Sequence, residues 1–108
     1  MNILFICNQN KHRSKTAEEI FKHQFNTASA GLYNERPVTL KQLTWADLII
    51  VMEEHQRKEL SLRFPKIYLS KRILCLDIPD IYHYQQHELI TLLQSRIHEA
   101  LEPFLKLV

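Results

Sequence analysis

A cysteine, an arginine and a serine near the N-terminus have the spacing of an anion-handling site. The stretch "ILFICNQNKHRSKTAEEIF" places Cys7 at the end of an apolar run, with Arg13 six residues later and Ser14 beside it. Backbone N–H groups that wrap around an anion at the start of a helix form a nest with partial positive charge behind it. A thiol in that field loses its proton readily. The pattern therefore predicts in-line phosphoryl transfer to the Cys7 sulfur.

The other steps of such a reaction need three further groups. The planar guanidinium of Arg13 is suited to grip two phosphate oxygens. Ser14 is expected to hydrogen-bond the sulfur and ease its departure when the phosphocysteine hydrolyses. An acid must protonate the leaving oxygen, and the stretch "LCLDIPDIYHY" offers Asp77 and Asp80 for that role. No metal or other cofactor is expected, because amides and Arg13 neutralise the transferred group.

The apolar segments that must position these residues predict an α/β fold. We expect strands at 2–7, 27–31, 48–52 and 73–76, a minor strand at 67–69, and helices at 14–25, 39–45, 53–64 and 90–107. Strands that are apolar on both faces and alternate with helices favour a three-layer arrangement around a central four-stranded parallel sheet. Active sites of such sheets lie beyond the carboxyl ends of the strands. The loops after the first and last strands should therefore meet.

Composition narrows the range of functions. The chain of 108 residues predicts a single domain, residues 1–108, and a net charge of +2 is too small to indicate nucleic acid as a partner. No apolar run approaches the length of a membrane span, so no membrane partner is expected. The N-terminus lacks the pattern of a signal peptide, which predicts a cytoplasmic protein. Two cysteines are too few for a disulfide scaffold, and Cys75 within "ILCL" is interpreted as a buried, inert thiol.

The same residues resemble the low-molecular-weight protein tyrosine phosphatase family. The first segment is similar to that family's first strand, its Cys-x5-Arg-Ser/Thr loop and the helix that follows. The segments "ASAGL", "ADLIIVMEEHQRKEL" and "DIYHYQQHELITLLQSRIHEALEPFL" resemble later family segments in the same order. The resemblance implies a phosphotyrosine phosphatase I-like fold, which is flavodoxin- or Rossmann-like.

The resemblance also implies roles for individual residues. Cys7 would be the nucleophile, Arg13 the phosphate clamp and Asp80 the general acid and base, with Asp77 as the competing carboxylate. Ser29 would bond to Asn10 behind the loop. The residues expected to contact substrate are Asn8, Gln9, Asn10, Lys11, His12, Ser14, Tyr33 and Tyr82. Tyr33 and Tyr82 are equally consistent with ordinary half-buried tyrosines, and Lys11 and His12 with a positive rim.

Four departures from the family pattern bear on substrate preference. Gln9 stands where the family usually has Gly, and His12 where it has a second loop cysteine. Ile81 replaces the proline after the acid, and the segment between residues 31 and 46 is shorter. Because Gly31 is the only glycine, the loop must place another residue type in any left-handed conformation that it needs.

We interpret the chain as a phosphate monoester hydrolase, favouring protein tyrosine phosphatase. Its substrates would be phosphorylated proteins or small aryl phosphates, with inorganic phosphate and other oxyanions as inhibitors. The main alternative is a catalytically decayed module that binds phosphate or phosphoproteins. An arsenate reductase would need two further cysteines on a mobile segment, and a phosphocarrier would not need Arg13 at this spacing.

Overall fold

Four parallel strands form the centre of the protein. In the computed structural model, which describes residues 1–105, these are β1 (Asn2–Cys7), β2 (Asn26–Gly31), β3 (Leu48–Val51) and β4 (Arg72–Cys75). They form one sheet in the order β2-β1-β3-β4, and every neighbouring pair is parallel. The prediction of a central four-stranded parallel sheet is confirmed.

Five helices connect or follow the strands. They are α1 (Arg13–Phe21), α2 (Leu40–Trp45), α3 (Glu54–Arg63), α4 (Pro65–Ser70) and α5 (His87–Leu105). The predicted minor strand at 67–69 is wrong, because Pro65 begins a helix whose first turn suits its fixed φ angle. The first helix ends four residues early, where the amides of Gln24 and Phe25 turn back to the Phe21 carbonyl. The predicted end of the last helix at residue 107 lies outside the described residues.

The helices cover both faces of the sheet, because consecutive strand side chains point to opposite faces. On one face, Ile3 and Phe5 of β1 pack in a core with residues of α1 and α5. On the other, Leu4 and Ile6 pack with residues of α2, α3 and α4. The central strand β1 is thereby buried on both sides as far as Cys7 at its carboxyl end. Among the described residues no helix is long and apolar enough to cross a membrane.

The register of the sheet brings three strand ends together. Ile6 of β1 lies beside Val51 of β3, and Val51 lies beside Cys75 of β4. The chain leaves all three strands at the same edge, so the segments that follow them are neighbours. This edge carries the candidate site.

Leu60 provides a test of the packing on the α3 face. Its side chain is fully buried, whereas Leu62 of the same helix is 68% exposed. We expect Leu60→Ala to lower the free energy of unfolding by about 2–5 kcal/mol, because it removes buried methyl groups and leaves a cavity. The measurement is urea denaturation. The matched control Leu62→Ala should change the free energy by no more than about 0.5 kcal/mol, and equal effects of the two substitutions would contradict this packing.

Candidate active site

The cysteine loop, residues 7–14, joins β1 to α1 and is shaped to receive an anion. Asn10 adopts a φ of 53°, so an asparagine takes the left-handed position that the glycine-poor sequence leaves to another residue type. The N–H groups of residues 9–15 donate no backbone hydrogen bond within the described part of the chain. Unpaired amides at the start of a helix are a strong anion-binding arrangement.

Cys7, Ser14 and Asn10 form a short chain of hydrogen-bonding groups. The Cys7 Sγ lies 2.9 Å from the Ser14 Oγ, and that hydroxyl lies 2.7 Å from the Asn10 Oδ1. The Ser14 hydroxyl has a single proton. It can donate this proton to Asn10 when the sulfur is a thiol, or to the sulfur when the thiol has ionised. Ser14 is fully buried, so the choice is confined to these two partners.

Arg13 is a buried cation, only 1% exposed, with partners from two other loops. One terminal nitrogen, Nη1, donates to the Glu53 carboxylate and, at 2.6 Å, to the Ile78 carbonyl. The other, Nη2, lies 3.7 Å from the Asp80 Oδ2. The Nε–H is buried and has no hydrogen-bond partner among the described residues. One edge of the guanidinium is thus fixed by protein, and the edge formed by Nε and Nη2 remains available to an anion.

The aspartate loop, residues 76–86, separates the two candidate acids. Asp80 lines the same cavity as Cys7 and Arg13, and its side chain is 53% exposed. Asp77 has a φ of 54° and lines a different cavity with Cys75 and Arg96. Of the two carboxylates, only Asp80 is therefore near the sulfur.

Asp77, Cys75 and Glu54 offer ligand atoms within 4.8 Å of one another. Burial raises the pKa of the Cys75 thiol to about 12, so the sulfur is protonated at neutral pH. Glu54 and Asp77 are solvent-exposed, as clusters of acidic side chains without a metal commonly are.

A cavity of about 350 Å³ opens above the cysteine loop. Its lining includes seven of the predicted site residues, Cys7, Gln9, Lys11, His12, Arg13, Asp80 and Tyr82, together with Ile81 and His83, which were not predicted. The predicted residues Asn8, Asn10 and Ser14 do not line it. The predicted wall residue Tyr33 lines a neighbouring cavity, which shares Gln9 with the first. The Arg63 guanidinium stacks over the Tyr33 ring, 5.2 Å from its centroid. The exposed Gln9 side chain thus stands between the two cavities.

The sequence analysis missed two site residues, Glu53 and Gln56, because the charged stretch after β3 has the composition of a solvent-exposed helix face. Glu53 holds Arg13, and Gln56 is fully buried. The Gln56 Oε1 accepts from the amides of Met52 and Glu53 at 2.8 and 2.9 Å, and its Nε2 donates to the Asn8 Oδ1 at 2.9 Å. Glu53 and Gln56 also form the capping box of α3. The spacing E-x-x-Q directly after a strand adjacent to β1 was the signal that could have revealed them.

The predicted hydrogen bond between Ser29 and Asn10 is wrong. The Ser29 hydroxyl donates to the Glu18 carboxylate of α1 at 2.9 Å and does not bond to Asn10. Contact between β2 and the cysteine loop is made instead through Gly31, where an added Cβ would lie 2.7 Å from the Asn34 Oδ1 and 3.0 Å from the Asn10 nitrogen. A larger residue at this position would displace the Asn34 side chain and press on the loop backbone at Asn10.

Comparisons with known proteins identify the fold. No protein-family model and no curated protein sequence matches the chain. Among solved structures, SP-PTP, a low molecular weight protein tyrosine phosphatase from Streptococcus pyogenes, is similar with a TM-score of 0.77 and 17% identity, over 94% of this chain and 91% of that chain. The tyrosine phosphatase Wzb from Escherichia coli K30, in complex with phosphate, gives a TM-score of 0.75 and 20% identity, over 94% and 96%.

An arginine phosphatase is similar to the same extent. A C7S mutant of YwlE arginine phosphatase with a phosphorylated active-site serine gives a TM-score of 0.74 and 20% identity, over 94% of this chain and 96% of that chain. These likenesses cover nearly all of both chains in each case. The chain therefore has the fold of the low molecular weight protein tyrosine phosphatases.

Proposed function

We propose that this protein is a cysteine-dependent phosphate monoester hydrolase that acts through a phosphocysteine on Cys7. One observation carries the proposal: the Cys7 sulfur, held 2.9 Å from the Ser14 hydroxyl, shares one cavity with Arg13 and Asp80. A nucleophile, an anion clamp and a carboxyl group are the parts that this reaction needs. The names of the similar structures, which include tyrosine and arginine phosphatases, support the same reaction class.

Binding would be electrostatic and preorganised. A phosphoryl group in the nest would accept hydrogen bonds from the unpaired loop amides and from the Nε and Nη2 of Arg13. Glu53 and the Ile78 carbonyl already hold the opposite edge of the guanidinium, so little rearrangement is needed on binding. Groups fixed in advance around developing charge are the main source of stabilisation in phosphoryl transfer.

The reaction would proceed in two displacements. The Cys7 thiolate attacks phosphorus, the ester P–O bond breaks, and Asp80 gives its proton to the leaving oxygen. Asp80, now a carboxylate, takes a proton from water as the water oxygen attacks phosphorus and the P–S bond breaks. Ser14 turns its proton from Asn10 towards the sulfur as negative charge returns to it. The products are an alcohol or phenol and inorganic phosphate.

The preferred substrates are aryl phosphates such as phosphotyrosine in proteins. Ile81, 71% exposed, and the half-buried Tyr82 give the cavity an apolar and aromatic rim that would contact a flat ring. Tyr33 contributes from the adjoining cavity, so its contact would be with the substrate beyond the ring. Phosphoarginine, the substrate type implied by the name of YwlE, would present a charged group and not a flat apolar ring to Ile81 and Tyr82, which disfavours it.

Hydrolysis of p-nitrophenyl phosphate and phosphotyrosine without added metal tests the roles of Cys7 and Asp80. Cys7→Ser should reduce turnover to background. Asp80→Asn should lower kcat by about 10²- to 10⁴-fold with phosphotyrosine, because general acid catalysis is lost. The loss should be smaller with p-nitrophenyl phosphate, whose leaving group needs protonation less.

Asp77→Asn is the matched control for Asp80→Asn. It changes the same chemical group on the same loop but lies in another cavity, so kcat should remain near the wild-type value. The reverse ranking of the two variants would make Asp77 the acid. A wild-type protein that binds vanadate without any turnover would overturn the hydrolase and leave a phosphate-binding module.

The role of Arg13 is tested by phosphate affinity, measured by isothermal titration calorimetry in the Cys7→Ser background. Arg13→Lys should weaken phosphate binding by about 10- to 100-fold, because a lysine cannot supply a bidentate pair of charge-assisted hydrogen bonds. Arg36→Lys is the control, since Arg36 is exposed and lines only the neighbouring cavity. Equal affinities of the Arg13→Lys variant and its parent would exclude Arg13 as the clamp, provided that thermal melting shows both are folded.

A further inference from the structure

A hydrogen bond links the cysteine loop directly to the aspartate loop. The Tyr84 backbone N–H donates to the His12 Nδ1 at 3.0 Å. His12 is the last residue before α1, and Tyr84 lies four residues beyond Asp80. Because an amide can only donate, the His12 imidazole must carry no proton on Nδ1 in this arrangement.

The next amide of the aspartate loop is bound in a related way. The Gln85 N–H donates to the Thr16 Oγ1 at 2.9 Å, and the Thr16 hydroxyl donates to the His12 carbonyl at 2.7 Å. Gln85 has a φ of 57°, a conformation that costs a residue of this type free energy. Two consecutive amides are therefore held by His12 and Thr16 at a strained position of the loop.

The opposite end of the aspartate loop is fixed by Arg13, whose Nη1 donates to the Ile78 carbonyl. Asp80 lies between these two attachments. Its own described contact is the 3.7 Å approach to Arg13, and half of its side chain is exposed. Its placement in the cavity is thus determined by the attachments on either side of it.

We propose that His12 is a positioning residue for the aspartate loop. Its neutral imidazole holds the Tyr84 amide and so keeps Asp80 beside Arg13, and a second proton on the imidazole releases this end of the loop. The imidazolium carries a hydrogen on each nitrogen, so Nδ1 can no longer accept, and two donors then face each other. The effect on turnover rests on the proposed function, whereas the effect on loop conformation does not.

The surroundings of this hydrogen bond contain other groups that titrate or carry charge. The His83 ring meets the His12 ring edge-on, with centroids 5.5 Å apart. The remaining groups at this position are Cys7, Lys11 and Arg13 from the cysteine loop and Asp80, Tyr82 and Tyr84 from the aspartate loop. The nearest element, α1, contributes the hydroxyl of Thr16, and Lys22 at its C-terminal end is within electrostatic reach of the Tyr84 hydroxyl. Because His83 is a second imidazole in contact with the His12 ring, an experiment must separate the two.

Three substitutions at two histidines provide that separation. His12→Asn places an amide oxygen where Nδ1 stands, so it retains an acceptor that does not titrate. His12→Ala removes the acceptor. His83→Ala removes the second imidazole and leaves the His12 acceptor in place, since the described hydrogen bonds between His83 and Gln86 use the backbone N–H and carbonyl of His83.

The first measurement is independent of activity: ¹⁵N–¹H chemical shifts and hydrogen exchange of the Tyr84 and Asp80 amides between pH 5 and 8. In the wild type and in His83→Ala, the Tyr84 amide should lose protection, and the Asp80 amide should change its chemical shift, when the His12 imidazole gains its second proton. His12→Asn should keep the protection at every pH, and His12→Ala should lack it throughout. Amides that do not respond to pH in the wild type, or that are unaffected by His12→Ala, would overturn the proposal.

The second measurement is the pH dependence of kcat and KM for phosphotyrosine. His12→Ala should lower kcat by about three- to tenfold at pH 7, the loss expected for one hydrogen bond, with a smaller change in KM. His12→Asn should restore kcat at pH 7, and its kcat should fall less steeply towards pH 5 than the wild-type value. An His12→Asn variant that behaves like His12→Ala would contradict the positioning role. Wild-type protein with titrating amides but no turnover would refute the hydrolase and leave the loop attachment established.

Discussion

The burial of the Arg13 guanidinium is the constraint on which the site depends. A buried cation costs several kcal/mol unless hydrogen bonds and an opposite charge surround it. The cation and its partners come from segments that follow three different strands: Arg13 after β1, Glu53 after β3, and Ile78 and Asp80 after β4. The hydrogen bonds and ion pairs of the Arg13 side chain therefore fix the relative positions of three loops. The parallel sheet supplies the common edge at which these loops meet.

This arrangement explains how a loop with no glycine can hold an anion nest. The left-handed residue is an asparagine whose side chain accepts from Ser14, so the unfavourable backbone angle is offset by a hydrogen bond in the site itself. The single glycine, Gly31, serves from outside the loop, where it lets the Asn10 backbone and the Asn34 side chain approach β2. Close packing around the loop therefore supports a conformation that other loops reach through flexible glycines.

The sequence predicted the sheet and most of the cavity lining, because both follow from local patterns. Apolar runs identified the strands, and the rule that sites lie beyond strand carboxyl ends brought Cys7 and Asp80 together. Glu53 and Gln56 could not be distinguished from a solvated helix by charge alone, since their burial depends on the strand order β1-β3. Tyr33 was misplaced for a related reason: the path of residues 32–39 is set by contacts such as that with Arg63, which no periodicity encodes. The segment at 65–70 was ambiguous because a short apolar run suits a strand or a helix.

The contacts of Gln56 couple local unfolding at the start of α3 to the shape of the cysteine loop. Its one side chain completes the first turn of α3 and grips Asn8, so formation of that helix end and of the cysteine loop are the same event. Local opening of a helix end requires far less free energy than global unfolding. Fraying of the first turn of α3 would therefore release Asn8 while all four strands stay paired. We expect the site to lose its shape at a lower temperature than the sheet, as a small cooperative unit.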